Sequence, residues 1–410
     1  MSAQLEMPAI LSFEDARHMV EQHASQIIPV AKESVELLEG YQRVLAEHVN
    51  ADRNFPPFRR AARDGYAVLA SDLSNLPATL EVVGEIRAGA HADKIPAINA
   101  GQAAAIMTGA ATPQGADAVV MVEYTSLQGK HVTIKKGVSG GDNIVAIGSE
   151  AKRGDRLLTV GMQLDQAAIA VAASVGRERL SVYEKPRVAV LATGDEIVDI
   201  DVQPGPTQIR NSNTYSLAAQ ILGAGGEPTL LPTAPDEAGR LRELINDGLE
   251  ADLLLLAGGV SAGKYDLVEQ VLAQFGAEFF FTGAQIQPGK PIVFGRVAEK
   301  YFFGLPGNPV STMVTFELFV RPLLDALAGA APKKLLFLHA KLKSEIRTKL
   351  GLKRFLPATL SGEFEDAQVQ LARWEGSGDI ASTARANCYI VIPSDREHIA
   401  SGEWVPVLMR

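Results

Sequence analysis

The sequence is almost free of cysteine, since Cys388 is its single thiol among 410 residues. One cysteine can form neither an internal disulfide nor a cysteine-rich metal cluster within the chain. Chains without disulfides are typical of reducing compartments. We therefore expect a cytoplasmic protein.

Two kinds of apolar segment are also missing. Residues 1–11 lack the basic stretch and apolar core of a secretory signal peptide. Residues 301–316 form one of the longest runs without a charged side chain, and glycine and proline interrupt it, unlike a membrane span. We therefore expect no signal peptide and no membrane partner.

An excess of positive charge is absent too. The formal net charge is −9, whereas proteins that bind duplex nucleic acid usually carry a basic surface. We expect no nucleic-acid partner, although backbone N–H groups and a metal ion can still bind a small phosphate locally. The composition is that of a globular protein, with 47% hydrophobic and 21% charged residues. Its length predicts two to four domains.

The first half of the chain predicts helices around a β-rich region. Ser12 is a suitable N-cap for an amphipathic helix that begins at Phe13. A second helix is predicted over residues 33–49. Short apolar runs alternate with glycine and proline from residue 54 to 148, which predicts a β-rich lobe. An alanine-rich helix capped by Asp165 follows this lobe.

From residue 187 onward, predicted strands and helices alternate. The predicted strands cover residues 187–192, 228–232 and 252–257, and the helices cover 214–222, 237–249 and 265–275. Such alternation indicates a mostly parallel sheet with helices on both faces. A last helix, residues 309–327, has Asn308 as its predicted N-cap. Short strand-like runs after residue 331 predict a small β domain.

Three motifs follow predicted strands of this α/β block, and open α/β sheets bind ligands beyond the carboxyl ends of their strands. The first motif is Thr193-Gly194-Asp195-Glu196. Gly194 permits a sharp turn, and its two carboxylates could hold a metal ion or orient a ligand hydroxyl. A plain turn followed by a helix-capping acid explains the motif about equally well.

The second motif, residues 257–266, is a glycine-rich turn between a strand and a helix. Gly258 and Gly259 would let backbone N–H groups approach an anion at the positive end of the helix. Asp266 is placed either to bind Mg²⁺ through oxygen or only to interact with the helix dipole. The turn matches neither a Walker loop nor a dinucleotide fingerprint.

The third motif, residues 304–311, places Gly-Asn between Pro306 and Pro309. It indicates either a rigid helix entry or a stiff wall for an anion. Lys290, which lies between prolines, could act as a point charge for an oxyanion or be a solvated loop residue. Residues 63–67 of the β-rich lobe contain an acidic residue beside glycine, a pattern that commonly indicates just a turn.

Taken together, these motifs resemble the MoeA family of molybdopterin molybdenumtransferases, which includes the gephyrin E domain. The resemblance covers nearly the whole chain. In chain order the motifs are Asp64-Gly65-Tyr66-Ala67, Met107-Thr108-Gly109, Thr193-Gly194-Asp195-Glu196, Asn211-Ser212-Asn213, Gly258-Gly259-Val260-Ser261, Pro288-Gly289-Lys290-Pro291 and Leu305-Pro306-Gly307-Asn308-Pro309.

The resemblance implies an α/β multidomain fold: a MoaB-like three-layer α/β domain with a β-rich lobe, a helical linker region and a C-terminal β-barrel-like domain. The implied boundaries are residues 1–53 with 149–183 for the discontinuous helical linker domain, 54–148 for the lobe, 184–329 for the molybdopterin-binding MoaB-like domain and 330–410 for the last domain. The family works as a homodimer, with its site between the MoaB-like domain of one subunit and the lobe of the other.

The implied reaction uses adenylated molybdopterin and molybdate as substrates. Mg²⁺ assists cleavage of the adenylate, molybdenum stays on the dithiolene and AMP leaves. Molybdopterin adenylyltransferase is an implied partner. Because an adenylate is already activated, such a protein mainly positions the reactants and offsets phosphate charge.

The resemblance also assigns roles residue by residue. Asp64, Glu196, Asp236 and Asp266 would be catalytic, with Glu196 and Asp266 as the metal ligands. A second set would bind the cofactor, namely Thr108, Gly258, Gly259, Ser261, Lys290, Pro306, Pro309 and Ser377.

Several positions depart from the family pattern, and most of the changes remove positive charge. Arg63 stands in place of a methionine, and Glu150 in place of an aspartate. Residues 145–147 replace a basic cluster, Gln287 replaces a lysine and Pro357 an arginine. Arg63 and Arg354 are candidates to compensate for these losses.

The sequence therefore leaves three hypotheses open. The first is the transferase. The second is another enzyme built on a MoaB-like domain, such as a molybdopterin adenylyltransferase or a competence-damage-type nucleotide hydrolase, against which the two flanking β domains argue. The third is a divergent paralogue or scaffold that binds a pterin or nucleotide without metal transfer.

Overall fold

The computed structural model describes residues 10–259 and 267–410. The chain divides into two compact units. Unit 1 comprises Met1–Glu47, Val160–Asp165 and Arg179–Arg410, and unit 2 comprises His48–Thr159 and Gln166–Glu178. The finer division into four domains stays a prediction.

The helices of the described residues are short to medium in length, and none of them is long and apolar enough to cross a membrane. They are α1 (Phe13–Ala24), α2 (Gln166–Ser174), α3 (Asn213–Gly223), α4 (Ala238–Gly248), α5 (Leu267–Gln274), α6 (Pro309–Thr315), α7 (Arg321–Leu327) and α8 (Ile380–Arg385).

The strands belong to three six-stranded sheets and several two-stranded ladders within residues 10–259 and 267–410. They are β1 (Lys32–Glu36), β2 (Val49–Asn50), β3 (Arg60–Ala61), β4 (Gly65–Val68), β5 (Ala78–Ile86), β6 (Gln102–Ile106), β7 (Ala118–Met121), β8 (Thr125–Gln128), β9 (His131–Ile134), β10 (Ile144–Val145), β11 (Arg156–Leu158), β12 (Arg179–Tyr183), β13 (Arg187–Ala192), β14 (Ile197–Val198), β15 (Ile209–Arg210), β16 (Glu227–Leu230), β17 (Leu253–Ala257), β18 (Glu278–Phe281), β19 (Ile286–Gln287), β20 (Val293–Val297), β21 (Lys300–Leu305), β22 (Phe337–Leu342), β23 (Ile346–Arg347), β24 (Lys353–Ser361), β25 (Gln368–Leu371), β26 (Cys388–Ile392), β27 (His398–Ile399) and β28 (Trp404–Met409).

The first helix forms as its sequence predicts. The Ser12 side chain accepts a hydrogen bond from the Asp15 backbone N–H at 3.1 Å, which satisfies one of the free donors at the start of α1. Phe13 and Val20 are buried against the α/β domain. The amphipathic helix is therefore confirmed.

The helix predicted over residues 33–49 is wrong. This segment begins with strand β1, which pairs antiparallel with β12 from Lys32↔Tyr183 to Glu36↔Arg179. A short 3₁₀ turn, Leu37–Gly40, follows it. The local pattern suggested a helix, but a partner strand almost 150 residues away supplies the hydrogen bonds, and tertiary pairing overrides weak local propensity.

Unit 1 contains the predicted α/β sheet, with strand order β16-β13-β17-β21-β20-β18. The first four strands are parallel, β20 runs antiparallel to β21, and β18 runs antiparallel to β20. Alternate residues face opposite cores: Val190 and Leu255 pack with α3 and α6, whereas Leu191 and Leu256 pack with α4 and α5. A mostly parallel sheet with helices on both faces is thus confirmed.

The predicted helix over residues 309–327 is confirmed but interrupted. Between α6 and α7 the chain forms a π-helical turn, Phe316–Val320. Pro322 has no N–H to donate to the Leu318 carbonyl four residues earlier. The buried Arg17 of α1 donates to that carbonyl instead. The turn thus fastens α1 to the helix that begins beside the third motif.

The C-terminal region forms a closed barrel in the order β24-β25-β22-β28-β26, with β26 pairing back to β24. Its core includes Cys388, whose thiol contacts the Ala358 carbonyl at 3.3 Å. Burial raises the pKa of this thiol to about 11. The single cysteine is therefore an inert core residue, and the predicted barrel-like domain is confirmed.

Unit 2 contains the predicted β-rich lobe, a sheet in the order β7-β4-β6-β5-β9-β8. Gly65 opens the central strand β4, where a Cβ would lie 1.8 Å from the Val120 carbonyl oxygen. Only glycine fits this close approach. The backbone beside Asp64 is consequently fixed by its contact with β7.

Candidate functional site

Three parallel strands of unit 1 end at the same level. Ala192 of β13 pairs with Ala257 of β17, which pairs with Leu305 of β21. Each of the three sequence motifs begins within one residue of these strand ends. The predicted placement of all three motifs at one edge of the sheet is therefore confirmed for the residues that the structure describes.

The first motif is a tight turn that brings a carboxylate back over its own backbone. Gly194 has φ of +135°, and a Cβ there would lie 2.6 Å from Glu196 Oε2. Glycine thus permits both the turn and the position of the Glu196 carboxylate. The Glu196 carbonyl accepts from Ile209 N at 2.8 Å, which ties the motif to β15.

A second acidic turn lies beside the first. Asp195 Oδ1 accepts a hydrogen bond from the Asp236 backbone N–H at 3.0 Å. Burial raises the pKa of the Asp236 carboxyl, and the negative charges of Asp195 and Glu196 raise it further. The structure therefore brings together two of the predicted catalytic acids, Glu196 and Asp236, with Asp195 as a third.

The chemistry of this acidic group suits a hard divalent cation, because Mg²⁺ prefers carboxylate oxygens and a cation would relieve the repulsion. Within residues 10–259 and 267–410, however, no group of three or more metal-ligating side chains is assembled around one point. The predicted ligand Asp266 lies outside the described residues. The acids therefore fit Mg²⁺ by donor type, with one predicted ligand still to be placed.

Glycines after β17 bring the second motif close to the other two. A Cβ on Gly258 would lie 2.8 Å from the Thr193 carbonyl oxygen, and a Cβ on Gly307 would lie 3.6 Å from Gly258 Cα. Side chains at these positions would fill the space between the loops. Ser261, predicted to bind the cofactor, lies outside the described residues.

The third motif connects the sheet edge to the C-terminal region. The Thr312 hydroxyl donates to the Pro306 carbonyl, which holds the turn at the start of α6. Val310 N donates to the Ser377 carbonyl at 3.0 Å. The structure therefore places Pro306, Pro309 and Ser377, which were predicted together from distant parts of the sequence, at one end of α6.

The loop that carries Lys290 packs on the side of the same helix. Gly289 has φ of +108°, and a Cβ there would lie 2.4 Å from Thr315 Cγ2 of α6. Pro288 is buried, whereas Lys290 is exposed. The lysine is thus presented to solvent by a closely packed loop.

Gln287, which replaces a family lysine, has a partner that the sequence did not reveal. Its Oε1 accepts from Arg354 Nε at 2.8 Å, and β19 runs parallel to β24 at this pair. Arg354 is only 5% exposed, its other bond goes to the Leu352 carbonyl, and burial lowers its pKa. A neutral residue at position 287 therefore accommodates a buried arginine.

The predicted pair in unit 2 is formed. Asp64 Oδ1 accepts from the Thr108 backbone N–H at 2.7 Å and from its hydroxyl at 2.8 Å. These two bonds hold the pKa of Asp64 below its usual value. Asp64 is therefore a fixed carboxylate at the surface of the lobe.

Of two other departures in unit 2, Glu150 has a structural partner and Arg63 is exposed. Arg60 Nη2 lies 2.7 Å from the Glu150 carboxylate, so Glu150 takes part in an ion pair. Arg63, a candidate to compensate for lost positive charge, is exposed.

Family models match most of the chain. Residues 11–176 match the MoeA N-terminal region (domains I and II), residues 189–326 the probable molybdopterin binding domain, and residues 339–409 the MoeA C-terminal region (domain IV). These matches cover the β-rich lobe, the α/β sheet and the closed barrel in turn.

Curated relatives and a solved structure are similar to most of the chain. A molybdopterin molybdenumtransferase of Nostoc sp. is 35% identical over 388 residues, covering 92% of this chain and 88% of the relative. That of Bacillus subtilis is 33% identical, covering 92% and 89%. The crystal structure of a molybdopterin biosynthesis MoeA protein from Pyrococcus horikoshii is similar with a TM-score of 0.80 at 29% identity, covering 98% of this chain and 100% of that one.

Proposed function

The chain belongs to the molybdopterin molybdenumtransferase family, and we propose that it inserts molybdenum into adenylated molybdopterin with Mg²⁺-dependent release of AMP. It is an enzyme of molybdenum cofactor biosynthesis. The observation that carries the finer proposal is the level ending of β13, β17 and β21, which brings the motifs to one edge. In open α/β sheets, ligands bind at this edge.

The acidic residues would form the metal side of the site. Glu196 and Asp266 would hold Mg²⁺ through carboxylate oxygens, and Asp236 would stand beside Glu196. When bound, Mg²⁺ would polarise the phosphoryl oxygens of the adenylate. The repulsion of Asp236 by Asp195 and Glu196, which adds to burial in raising the Asp236 pKa, supports this assignment because a cation would relieve it.

The residues around α6 would form the anion side. Lys290 is exposed on a fixed loop, and Pro306, Pro309 and Ser377 surround the start of the same helix. Gly258 and Gly259, followed by Ser261, would let the ligand approach the backbone. A lysine acts on an oxyanion as a point charge, so Lys290 would offset the charge of molybdate or phosphate.

Asp64 would serve as a catalytic carboxylate, with Thr108 beside it on the ligand surface. Thr108 donates twice to one oxygen of Asp64, which orients the carboxylate and keeps it ionised. An ionised, oriented carboxylate can accept a hydrogen bond from a ligand without first losing a proton. This property supports its assignment.

The decisive experiment measures AMP release by the purified full-length protein from adenylated molybdopterin, with molybdate and Mg²⁺. Asp266→Ala should abolish release if Asp266 holds Mg²⁺. Glu237→Gln, an exposed acid next to Asp236, is the matched control and should leave the rate unchanged. Binding of the substrate without AMP release would reject the transferase proposal.

One observation favours a second candidate, a divergent paralogue that binds a pterin or nucleotide without metal transfer. Gln287 is engaged with the buried Arg354, so this position offers no cation to an oxyanion. Complementation of a strain that lacks the transferase separates the two candidates. Restored molybdoenzyme activity supports transfer, and its absence with intact substrate binding supports the paralogue.

We further propose that the protein acts in the cytoplasm as a homodimer and receives its substrate from a molybdopterin adenylyltransferase. Family membership supports each of these statements. Light scattering of the purified protein measures the mass of the assembly. A mass of about one chain at assay concentration would reject the dimer.

A further inference from the structure

Buried polar atoms without partners mark positions where a ligand supplies the missing hydrogen bond, because burying an unsatisfied polar group costs free energy. Of the described residues, Thr193 and Asn213 both carry such an atom and both lie at the edge where the motifs meet. Thr193 directly follows β13, and Asn213 begins α3. The catalytic assignments above use neither residue.

The unpaired atom of Asn213 can be identified from its neighbours. Asn213 Nδ2 lies 2.7 Å from the Gly307 carbonyl oxygen. A carbonyl only accepts, so the amide nitrogen must face it and the assignment of the two amide atoms is settled. Asn213 Oδ1 is therefore a fixed acceptor that lacks a donor. A deprotonated phosphate or molybdate has no donor to offer it.

Thr193 lies against the neighbouring turn at Gly258 and Gly259. The residue is 6% exposed, and within the described chain its hydroxyl has no hydrogen-bond partner. A Cβ on Gly259 would lie 2.6 Å from Thr193 Oγ1, and a Cβ on Gly258 would lie 3.4 Å from it. Glycine at both positions keeps side chains away from the hydroxyl, which can donate or accept.

The two unpaired atoms flank one narrow strip of backbone. A Cβ on Gly258 would lie 3.4 Å from Thr193 Oγ1, and a Cβ on Gly307, whose carbonyl holds Asn213, would lie 3.6 Å from Gly258 Cα. A fixed acceptor and a hydroxyl that can donate suit the edge of a heterocycle in which an exocyclic amino group stands beside a ring nitrogen. The amino group would donate to Asn213 Oδ1, and the ring nitrogen would accept from Thr193.

We propose that Thr193 and Asn213 are specificity-determining residues that bind the amino edge of a substrate heterocycle. The inference rests on the proposed function only for its substrate, since adenylated molybdopterin carries this edge on both its pterin and its adenine. It assigns recognition of the ring to these two neutral side chains, which flank the loop between β13 and α3, and not to the acidic or basic residues.

Two pairs of probes test the proposal by equilibrium titration of the full-length protein. Pterin (2-amino-4-oxopteridine) is compared with lumazine, its 2-oxo counterpart, and AMP is compared with IMP, its 6-oxo counterpart. The wild type should bind one amino compound about tenfold more tightly than its oxo counterpart, the ratio for one good hydrogen bond. The pair that shows the preference identifies which ring is bound. No preference in either pair would overturn the proposal.

Thr193→Val is the most informative variant, because it keeps the shape of the side chain and removes only the unpaired hydroxyl. It should lose the amino preference while its free energy of unfolding stays the same or rises. Thr193→Ser should retain the preference. A Thr193→Val protein that keeps its preference, or that loses stability, would show that the hydroxyl has a structural role and would overturn the proposal.

Asn213→Leu should also lose the preference, whereas Ser212→Ala, at the exposed neighbouring position, should keep it. Retained preference in Asn213→Leu would remove Asn213 from ring recognition. The titrations involve no turnover, so they are independent of the transfer reaction. A clear amino preference without AMP release would reject the transferase and leave this inference standing.

Discussion

Neither the acidic nor the basic residues around the site of unit 1 form ion pairs with the described residues, but the two groups differ in their burial and in their hydrogen-bond partners. On the acidic side, Asp195, Glu196 and Asp236 are exposed and repel one another. On the basic side, Arg354 is buried, and its hydrogen bonds to the described part of the chain go to the neutral Gln287 and a carbonyl. No ion pair within residues 10–259 and 267–410 joins any of these side chains to an opposite charge.

The difference indicates that the exposed acids form a binding surface, whereas the buried arginine is a structural element. Exposed acids are screened by water and can take up a cation or a proton at little cost to the fold. A buried guanidinium is screened far less and depends on its fixed hydrogen bonds. We therefore expect changes on the acidic side to alter turnover, and changes beside Arg354 to alter stability.

Removing the acidic side should have the largest effect. Glu196→Gln combined with Asp236→Asn should lower the rate of AMP release by roughly 10²-fold or more, since metal-assisted charge stabilisation contributes several kcal/mol. The free energy of unfolding should stay the same or rise, because like charges are removed. Single-turnover assays and urea unfolding measure both quantities. A fall in the free energy of unfolding of the double variant would instead show that these acids have a structural role.

A charge introduced beside Arg354 should have the next largest effect, on stability. Gln287→Lys removes the acceptor of the buried Arg354 Nε and places a like charge beside it, so the free energy of unfolding should fall by about 1–3 kcal/mol. Gln285→Lys, at an exposed position on the same segment, is the control and should change it by less than about 0.5 kcal/mol.

The double variant Gln287→Lys/Arg354→Glu sharpens this prediction. It restores an opposite charge at the same pair and should recover part of the lost stability, measured in a double-mutant cycle. If Gln287→Lys proved as stable as the wild type, Arg354 would not depend on its neutral partner. The expected contrast, with turnover effects on the acidic side and stability effects beside Arg354, would then be wrong.

Mg²⁺ should stabilise the acidic side specifically. At 100 times its dissociation constant, a ligand that binds only the folded protein adds about 2.7 kcal/mol, which thermal unfolding with and without MgCl₂ would detect as a higher Tm. Glu196→Gln should lose most of this gain, and Gln285→Lys should keep it. A gain that is identical in Glu196→Gln would remove Glu196 from the metal site.

The pH dependence of stability should show a smaller effect from Asp236. Its raised pKa in the folded protein means that lowering the pH from 7 toward about 4, the usual carboxyl pKa, favours the folded state. This contribution is lost as the pH rises through the folded pKa. Urea unfolding at several pH values should show a smaller low-pH gain in Asp236→Asn. An unchanged profile would contradict the raised pKa.

Asp64 in unit 2 should respond in the opposite direction. Thr108 lowers its pKa, so its contribution to stability is present above the unfolded pKa and is lost as the pH falls through the folded one. Thr108→Val should raise the Asp64 pKa in an NMR titration of the carboxyl carbon. Thr112→Val, whose hydroxyl bonds a carbonyl instead, should leave it unchanged.

The sequence by itself determined the elements and the motifs between them. The strand Arg187–Ala192 and the helix Asn213–Gly223 were predicted to within one residue of their ends. A continuous apolar run, a periodic apolar face and a following glycine are local signals, so they can be read without knowing the fold. The resemblance then supplied Asp64, Glu196 and Lys290, because motif order does not depend on contacts.

Only the tertiary structure decided which of these residues have partners. The helix predicted over residues 33–49 was wrong because the start of this segment pairs with strand β12, which lies far along the chain. Arg354 proved to be buried against Gln287, 67 residues earlier, and the acceptor of Asn213 became identifiable only through Gly307. Burial and hydrogen-bond satisfaction depend on residues that folding brings together from distant parts of the chain, and no local pattern encodes them.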